Sequence, residues 1–160
     1  MISEVVYDMK KSNLFLALIT LFLMGSFTMS LPMVNQKVVE FCKSKIGQQV
    51  DRGECWDLAK YSLEYAGADW IPPLDYGDNY NYKKVEILPG DIIQFENAKF
   101  EWDLGRMSFP VHTAVVMENK GDNLIIIAHQ NFAGKRTVQL TEINLTYLKK
   151  GKLDFYRPKK

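Results

Sequence analysis

Apolar residues recur with a helical period in the first half of the chain and with a strand period in the second half. The helical spacing predicts one helix that Asn35 caps and that runs to about Ile46, and a second helix from Cys55 to Gly67. Beyond position 90 the pattern changes to short β-rich segments, with a short helix expected around Glu142–Leu148. The predicted strands are Asp91–Phe95, Val111–Met117, Leu124–Ala128, Thr137–Leu140 and Leu153–Arg157. This order predicts an α+β domain in which N-terminal helices pack on an antiparallel β-sheet.

The N-terminal segment does not follow either period. Residues Ser12–Gln36 include no charged side chain, Leu14–Met24 reads LFLALITLFLM, and the pair Lys10-Lys11 precedes it. A positive start followed by an apolar stretch predicts that residues 1–30 form a secretory signal peptide. The alternative is an uncleaved membrane anchor at residues 14–34, since about 20 apolar residues cross a bilayer. Either interpretation predicts a secreted, extracytoplasmic or membrane-anchored protein.

The composition fits one globular domain and excludes several classes of function. The chain has 160 residues, of which 47% are hydrophobic, and a formal net charge of +1. This charge gives no electrostatic reason to expect a nucleic-acid partner. Two cysteines are too few for a disulfide-built scaffold, and no glycine-rich phosphate loop is present. The function therefore has to be argued from local chemistry.

Cys55 is the candidate nucleophile. It opens the second predicted helix after the polar run Asp51–Glu54. The free N–H groups and the positive end of the helix dipole favour the thiolate there, which is the attacking form. Two alternatives remain open, a buried structural cysteine and a disulfide with Cys42. Cys42 itself lies on the apolar face of the first helix and is expected in the core.

The chain contains two histidines, His112 and His129, at the ends of two strands that are predicted to form a hairpin. These ends lie side by side in an antiparallel pair, so both rings are expected at one rim of the sheet, with Gln130 and Asn131 beside them. A base and orienting groups near Cys55 would suit acyl transfer. The alternatives are histidines without a role, or a zinc site made of Cys55, His112 and His129, for which no zinc-binding spacing is present.

Four short motifs stand in a characteristic order beyond the N-terminal segment. They are Gly53-Glu54-Cys55-Trp56, Pro89-Gly90-Asp91-Ile92-Ile93-Gln94-Phe95, His112-Thr113-Ala114-Val115-Val116 and His129-Gln130-Asn131. In this order they resemble the papain-like cysteine amidohydrolases and peptidases of the CHAP and NlpC type, and most of all a branch found in fungal cortical actin-patch proteins and some bacterial proteins. The resemblance implies a papain-like cysteine hydrolase domain at residues 35–158.

The resemblance also implies a role for each polar residue. Cys55 would attack an amide carbonyl, His112 would protonate the leaving amine and then activate water, and His129 or Asn131 would orient His112. CHAP enzymes commonly carry glutamate where this chain has His129. The departure removes the negative charge that would stabilise a protonated His112. No metal or organic cofactor is expected.

The exported bacterial relatives cut peptidoglycan, which implies an amidase or endopeptidase acting on cell-wall peptide or a related amide. The candidate substrate-binding residues are Trp56, Tyr76, Tyr80 and Gln130. The two tyrosines belong to a predicted surface loop at Asp69–Lys84, where aromatic rings either stack on a ligand or cover the core. The alternative function is a catalytically silent papain-like module that binds a partner.

Overall fold

The computed structural model describes residues 30–73 and 75–160 of the chain. Except for its last residue, the predicted signal peptide at residues 1–30 lies outside the described residues. The same is true of residues 14–29 of the alternative anchor. Within the described part of the chain, no helix is both long enough and apolar enough to cross a membrane.

Both predicted helices are confirmed. Helix α1 spans Met33–Lys45, and helix α2 spans Cys55–Ala66. The first turn of α2 is fixed by Asp57, whose carboxylate accepts a 3.0 Å hydrogen bond from the backbone N–H of Glu54. The helix ends at Gly67, which takes the left-handed conformation (φ 64°) that favours glycine at this position. Cys55 is therefore held at a well-defined helix start.

The expected cap of the first helix is wrong. Helix α1 begins two residues before Asn35, and Pro32 occupies the cap position. The side chain of Asn35 is buried and donates to the carbonyl of Pro89 at 2.9 Å and to a carboxylate oxygen of Asp91 at 3.0 Å. Asn35 thus ties the helix to the start of the sheet instead of capping it.

Six antiparallel strands form one sheet, which confirms the predicted α+β class. Their order across the sheet is β1-β6-β2-β3-β4-β5. The predicted hairpin is confirmed as the pair β3–β4. The strands are β1 Asp78–Tyr80, β2 Ile92–Trp102, β3 Gly105–Gly121, β4 Leu124–His129, β5 Gln139–Asn144 and β6 Leu148–Arg157.

The sheet buries apolar side chains on both of its faces. On the helix face, Ile92, Val115 and Ala128 pack against α1 and α2 through residues such as Leu58. On the opposite face, a second core contains Ile93, Ala114, Ile127, Phe95, Phe109 and Phe155. Because neighbours along a regular stretch of strand point to opposite faces, the side chains from His112 to Val115 alternate, with Thr113 and Val115 on the helix face and His112 and Ala114 on the opposite face.

Two parts of the predicted pattern differ from the structure. Strands β2 and β3 form a hairpin that extends far beyond the predicted strands and turns at Asp103-Leu104, with Trp102 opposite Gly105. The helix expected around Glu142–Leu148 is wrong, because β5 stays paired with β4 as far as Asn144 and only Leu145–Tyr147 forms a single 3₁₀ turn. Pairing along a neighbouring strand here outweighs local helical spacing.

Asp91 joins several elements at the start of β2. Its buried carboxylate accepts hydrogen bonds from Asn35, from the Tyr80 hydroxyl at 2.6 Å and from the Arg157 guanidinium at 2.9 and 3.1 Å. Burial, followed by the charge of Asp91, raises the pKa of the Tyr80 phenol above its usual range. The Pro89-Gly90-Asp91 motif is thus explained by structure, as the joint between α1, β1, β2 and β6.

Candidate functional site

The loop that leads to Cys55 is fastened to the residues that follow β4. The Gln130 side chain is fully buried, and its Nε2 donates to the backbone carbonyls of Val50 at 3.0 Å and Glu54 at 2.8 Å. Its Oε1 accepts the backbone N–H of Val50 at 3.1 Å. Gln130, predicted to bind substrate, instead satisfies the backbone before the helix, and Cys55 itself is partly exposed.

A second, exposed set of contacts supports the same loop. The Asn131 side-chain amide donates to Glu54 Oε2 at 2.8 Å, and Arg136 Nη1 lies 2.8 Å from Glu54 Oε1 and 2.9 Å from the carbonyl of Arg52. The predicted orienting residue Asn131 therefore contacts Glu54, the residue before Cys55, and not a histidine ring.

The two histidines meet, as the predicted hairpin requires. His112 Nε2 lies 2.8 Å from His129 Nδ1, and His129 Nε2 lies 2.8 Å from the hydroxyl of Thr141. Both rings are buried, with the ring centroids of Phe109 and Phe132 between 4.9 and 6.1 Å away. The pair thus forms a closed hydrogen-bonded chain inside an aromatic environment.

This environment keeps both imidazoles uncharged. Burial lowers the pKa of His112 to about 4. Burial, with the proximity of His112, lowers the pKa of His129 to about 3. Desolvation disfavours the protonated form of a histidine, and no carboxylate contributes to either shift. The structure therefore supports a neutral pair near neutral pH.

Cys55 and His112 lie on opposite faces of the sheet. In the register of β2 and β3, His112 is opposite Phe95, whose side chain belongs to the second core. Thr113, opposite Gln94, points to the helix face, where α2 packs. Among residues 30–73 and 75–160, no hydrogen bond joins the Cys55 thiol to either imidazole. The structure does not bring the predicted nucleophile and base together.

The helix face near Cys55 carries a different polar pair, made of Tyr76, which the sequence named only as a candidate for substrate binding, and Thr113, to which it assigned no role. The Tyr76 hydroxyl lies 3.4 Å from Thr113 Oγ1, and Thr113 donates to Gln94 Oε1 at 2.8 Å. Burial raises the pKa of Tyr76, the Thr113 contact opposes this, and the nearby Cys55 raises it further. Alternation of apolar and polar residues along β3 would have shown which face Thr113 occupies. Because both faces of this strand are buried, its sequence does not alternate and gives no such signal.

The remaining predicted site residues do not form a ligand platform. Tyr76 is fully buried, and the Arg157 guanidinium covers the Tyr80 ring at 5.0 Å. Trp56 is half-buried, with the Arg52 guanidinium 5.6 Å from its ring centroid. Tyr76 therefore offers no ring face to a ligand, and one face of the Tyr80 ring is already covered.

The alternatives for Cys55 are also resolved geometrically. Cys42 and Cys55 are both free thiols, so the disulfide is not formed. Cys42 is buried, and burial raises its pKa to about 12. In the described part of the chain, no three His, Cys, Asp or Glu side chains are grouped to hold a metal ion, and the zinc set of Cys55, His112 and His129 is split between the two faces.

Helices packed on an antiparallel sheet, with a cysteine at a helix start, define a papain-like cysteine-proteinase fold. The chain belongs to the AIM3/BBC1 cysteine-proteinase-fold domain family, whose model matches residues 32–160. It is 32% identical over 146 residues to Altered inheritance of mitochondria protein 3 of the yeast Debaryomyces hansenii. That match covers 78% of this chain and 16% of the yeast protein, so the chain spans about one sixth of the relative.

Two crystal structures are similar to this chain at low sequence identity. The structure of Ly7917 with the hydrolyzing product of MDP is 19% identical and has a TM-score of 0.50, covering 78% of this chain and 62% of that one. The structure of Ly7917 alone is 20% identical with a TM-score of 0.48, covering 76% and 62%. The likeness at a TM-score of 0.50 shows the fold alone.

The predicted location is wrong. The expectation of a secreted, extracytoplasmic or membrane-anchored protein rested on the apolar stretch at residues 14–34 and the lysine pair that precedes it. The family match is instead to the AIM3/BBC1 domain, and the relative is a yeast protein named for mitochondrial inheritance. An apolar stretch is compatible with export but does not by itself establish it.

Proposed function

We propose that this domain is a catalytically silent papain-like module that binds a protein partner. The observation that carries the proposal is the separation of Cys55 and His112 by the sheet. A cysteine hydrolase needs its base within hydrogen-bond reach of the thiol or of the reacting group. Here Thr113 occupies the helix face where a base would be needed, and a hydroxyl is a poor proton acceptor.

The chemistry of the histidine pair supports the same conclusion. His112 Nε2 is engaged by His129, and the ring packs among Phe95, Phe109 and Phe132. A group whose pKa is lowered to about 4 accepts a proton weakly near neutral pH. Bringing this ring to Cys55 would require β3 to shift by one residue, which would expose the second core.

The contacts around Cys55 support a structural role for Gln130 and Asn131, two of the predicted site residues. Gln130, Asn131 and Arg136 all bind the loop at residues 50–54. A single domain that spans a small part of its yeast relative also suits a binding role within a larger protein. In this proposal the papain-like fold serves as a scaffold.

The test compares the reactivity of Cys55 with and without His112. The rate of thiol labelling is measured across pH for the wild type and His112→Gln, with Cys55→Ala as the control for labelling at buried Cys42. We expect Cys55 to label at the same rate, within about twofold, in both proteins, because no thiolate–imidazole pair forms. A labelling rate that falls about tenfold or more in His112→Gln would contradict the proposal.

A hydrolysis assay gives the second readout. Fluorogenic peptide amides and peptidoglycan fragments are incubated with the wild type and with Cys55→Ala, after both variants have been shown to unfold at similar temperatures. We expect no difference in product formation between the two. Hydrolysis that depends on Cys55 would instead establish the cysteine amidase or endopeptidase that the sequence resemblance implies.

A further inference from the structure

Strand β5 presents an unpaired edge. Immediately before it, Val138 uses both of its outer backbone groups, since its N–H donates to Gln48 and its carbonyl accepts from Gly47, each at 2.8 Å. Backbone groups of alternate residues in a strand point to the same side, so Leu140 and Glu142 direct theirs outward as well. Among the described residues, no backbone group pairs with these two.

The edge also lacks the usual protection against strand addition. Natural edge strands are often very short or carry lysine or proline, and the opposite edge, β1, has only three residues. Strand β5 has six residues, with neither lysine nor proline, and Glu142 is its one charged residue. The side chain of Leu140 is 47% exposed. An open edge of this length is a template for another extended chain.

An apolar groove of about 400 Å³ opens beside this edge. Phe100, Met107 and Leu124 line it, together with Ile143 of β5, and Glu142 also borders it. Trp102 and Tyr147 stack on each other at its rim, with centroids 6.2 Å apart, and are 39% and 41% exposed. Partly exposed tryptophan and tyrosine are the residue types that dominate binding energy at interfaces.

The other face of β5 carries negative charge. Glu118, Ile126 and Glu142 form a row across three strands, so the two carboxylates share a face of the sheet. The ammonium of Lys120 interacts with both carboxylates. Its Nζ lies 2.8 Å from Glu142, and Glu142, followed by Glu118, raises the pKa of Lys120. Two carboxylates with one lysine leave a charge of about −1, which complements a cationic side chain.

We propose that β5 binds an extended peptide of a partner protein, which adds to the sheet as a further strand. Alternate residues of such a strand point to opposite faces, so apolar side chains would enter the groove beside Ile143 while lysine or arginine would lie next to Glu142, at the end of the acidic row. Only a polypeptide backbone offers donors and acceptors at the spacing of Leu140 and Glu142. This inference rests on the proposed binding role and uses a surface other than that of Cys55.

The probe is a fluorescein-labelled ten-residue peptide in which valine and lysine alternate, titrated by fluorescence anisotropy against the full chain. The control peptide has five valines followed by five lysines and therefore the same composition and charge. We expect the alternating peptide to bind at least about tenfold more tightly. Equal affinity, or no binding at about 1 mM, would overturn the proposal.

Methylated peptides test the backbone pairing without changing the protein. One peptide carries N-methyl groups on all valine amides and the other on all lysine amides. In a strand these two sets face opposite sides, so only one set can face β5. We expect one methylated peptide to lose binding by about tenfold or more and the other to keep it. Two peptides that both bind as the parent does would overturn the proposal.

Matched variants test the edge and the groove. Leu140→Pro removes an outward N–H, which an edge strand tolerates, whereas Leu140→Ala keeps it. We expect Leu140→Pro to bind about tenfold more weakly than Leu140→Ala, and Trp102→Ala to lose about tenfold as well, at unchanged melting temperatures. Equal binding by both Leu140 variants would overturn the proposal. Cys55→Ala should bind normally, so this test and the Cys55 labelling test can fail separately.

Discussion

The two faces of the sheet carry two polar clusters that are built in different ways. On the helix face, Gln130 and its neighbours bind the backbone before Cys55 and leave the thiol partly exposed. On the opposite face, His112 and His129 bind each other in an aromatic core. The chain keeps the order of the family's motifs and the fold. Neighbouring strand positions nevertheless face opposite sides, so His112 lies on the face away from Cys55.

The largest expected effect is on the buried histidine pair. His129→Ala removes a fully buried ring and leaves His112 and Thr141 without a hydrogen-bond partner. We expect the free energy of unfolding, measured in urea, to fall by about 3 kcal/mol. Thr113→Val on the helix face is the control, with a loss of about 1 kcal/mol. A loss below that of the control would mean that the histidine cluster is not part of the core.

The second effect is a dependence of the free energy of unfolding on pH, which the histidine pair should cause and the helix-face cluster should not. The chain has only these two histidines, and burial holds the pKa of both below the unfolded value of about 6.5. The unfolded chain therefore binds more protons below about pH 6.5, and stability falls as the pH falls. We expect a loss of about 2–3 kcal/mol between about pH 7.5 and pH 5.5, measured by urea unfolding.

The pH experiment has an internal control. The double variant His112→Gln with His129→Gln removes both titrating rings, so its stability should change little over the same range. Carboxylates ionise mostly below this window and contribute little to the difference. A wild-type profile as flat as that of the double variant would show that the rings are not held neutral by the fold.

The residues around β3 show how far the sequence could lead. Turn residues and β-rich segments were enough to predict the β3–β4 hairpin and the meeting of His112 with His129. They did not indicate which face the rings occupy, because Val115 and Ala114 are apolar neighbours that are both buried. When both faces of a strand are covered, alternation disappears and parity depends on tertiary packing.

The misassigned segments have related causes. Glu142 was expected to begin a helix, but long-range pairing with Ile126 keeps it in β5. Tyr76 and Tyr80 belong to the predicted polar loop, yet the Tyr76 hydroxyl contacts Thr113 and the Arg157 guanidinium covers the Tyr80 ring, and both partners are distant in sequence. These contacts depend on the complete fold, which local composition does not report.

The smallest expected effect distinguishes two neighbours within the helix-face cluster. Gln130→Ala leaves the backbone N–H of Val50 without its partner and removes one of the two hydrogen bonds accepted by the carbonyls of Val50 and Glu54, so we expect the free energy of unfolding to fall by about 2 kcal/mol. The exposed Asn131 makes one surface contact, and Asn131→Ala should cost less than about 0.5 kcal/mol. Loss of Gln130 should also loosen the loop before Cys55 and increase its rate of thiol labelling. Equal stability of the two variants would show that Gln130 does not fix this loop. The polar cluster on the helix face would then have no structural role comparable to that of the histidine pair.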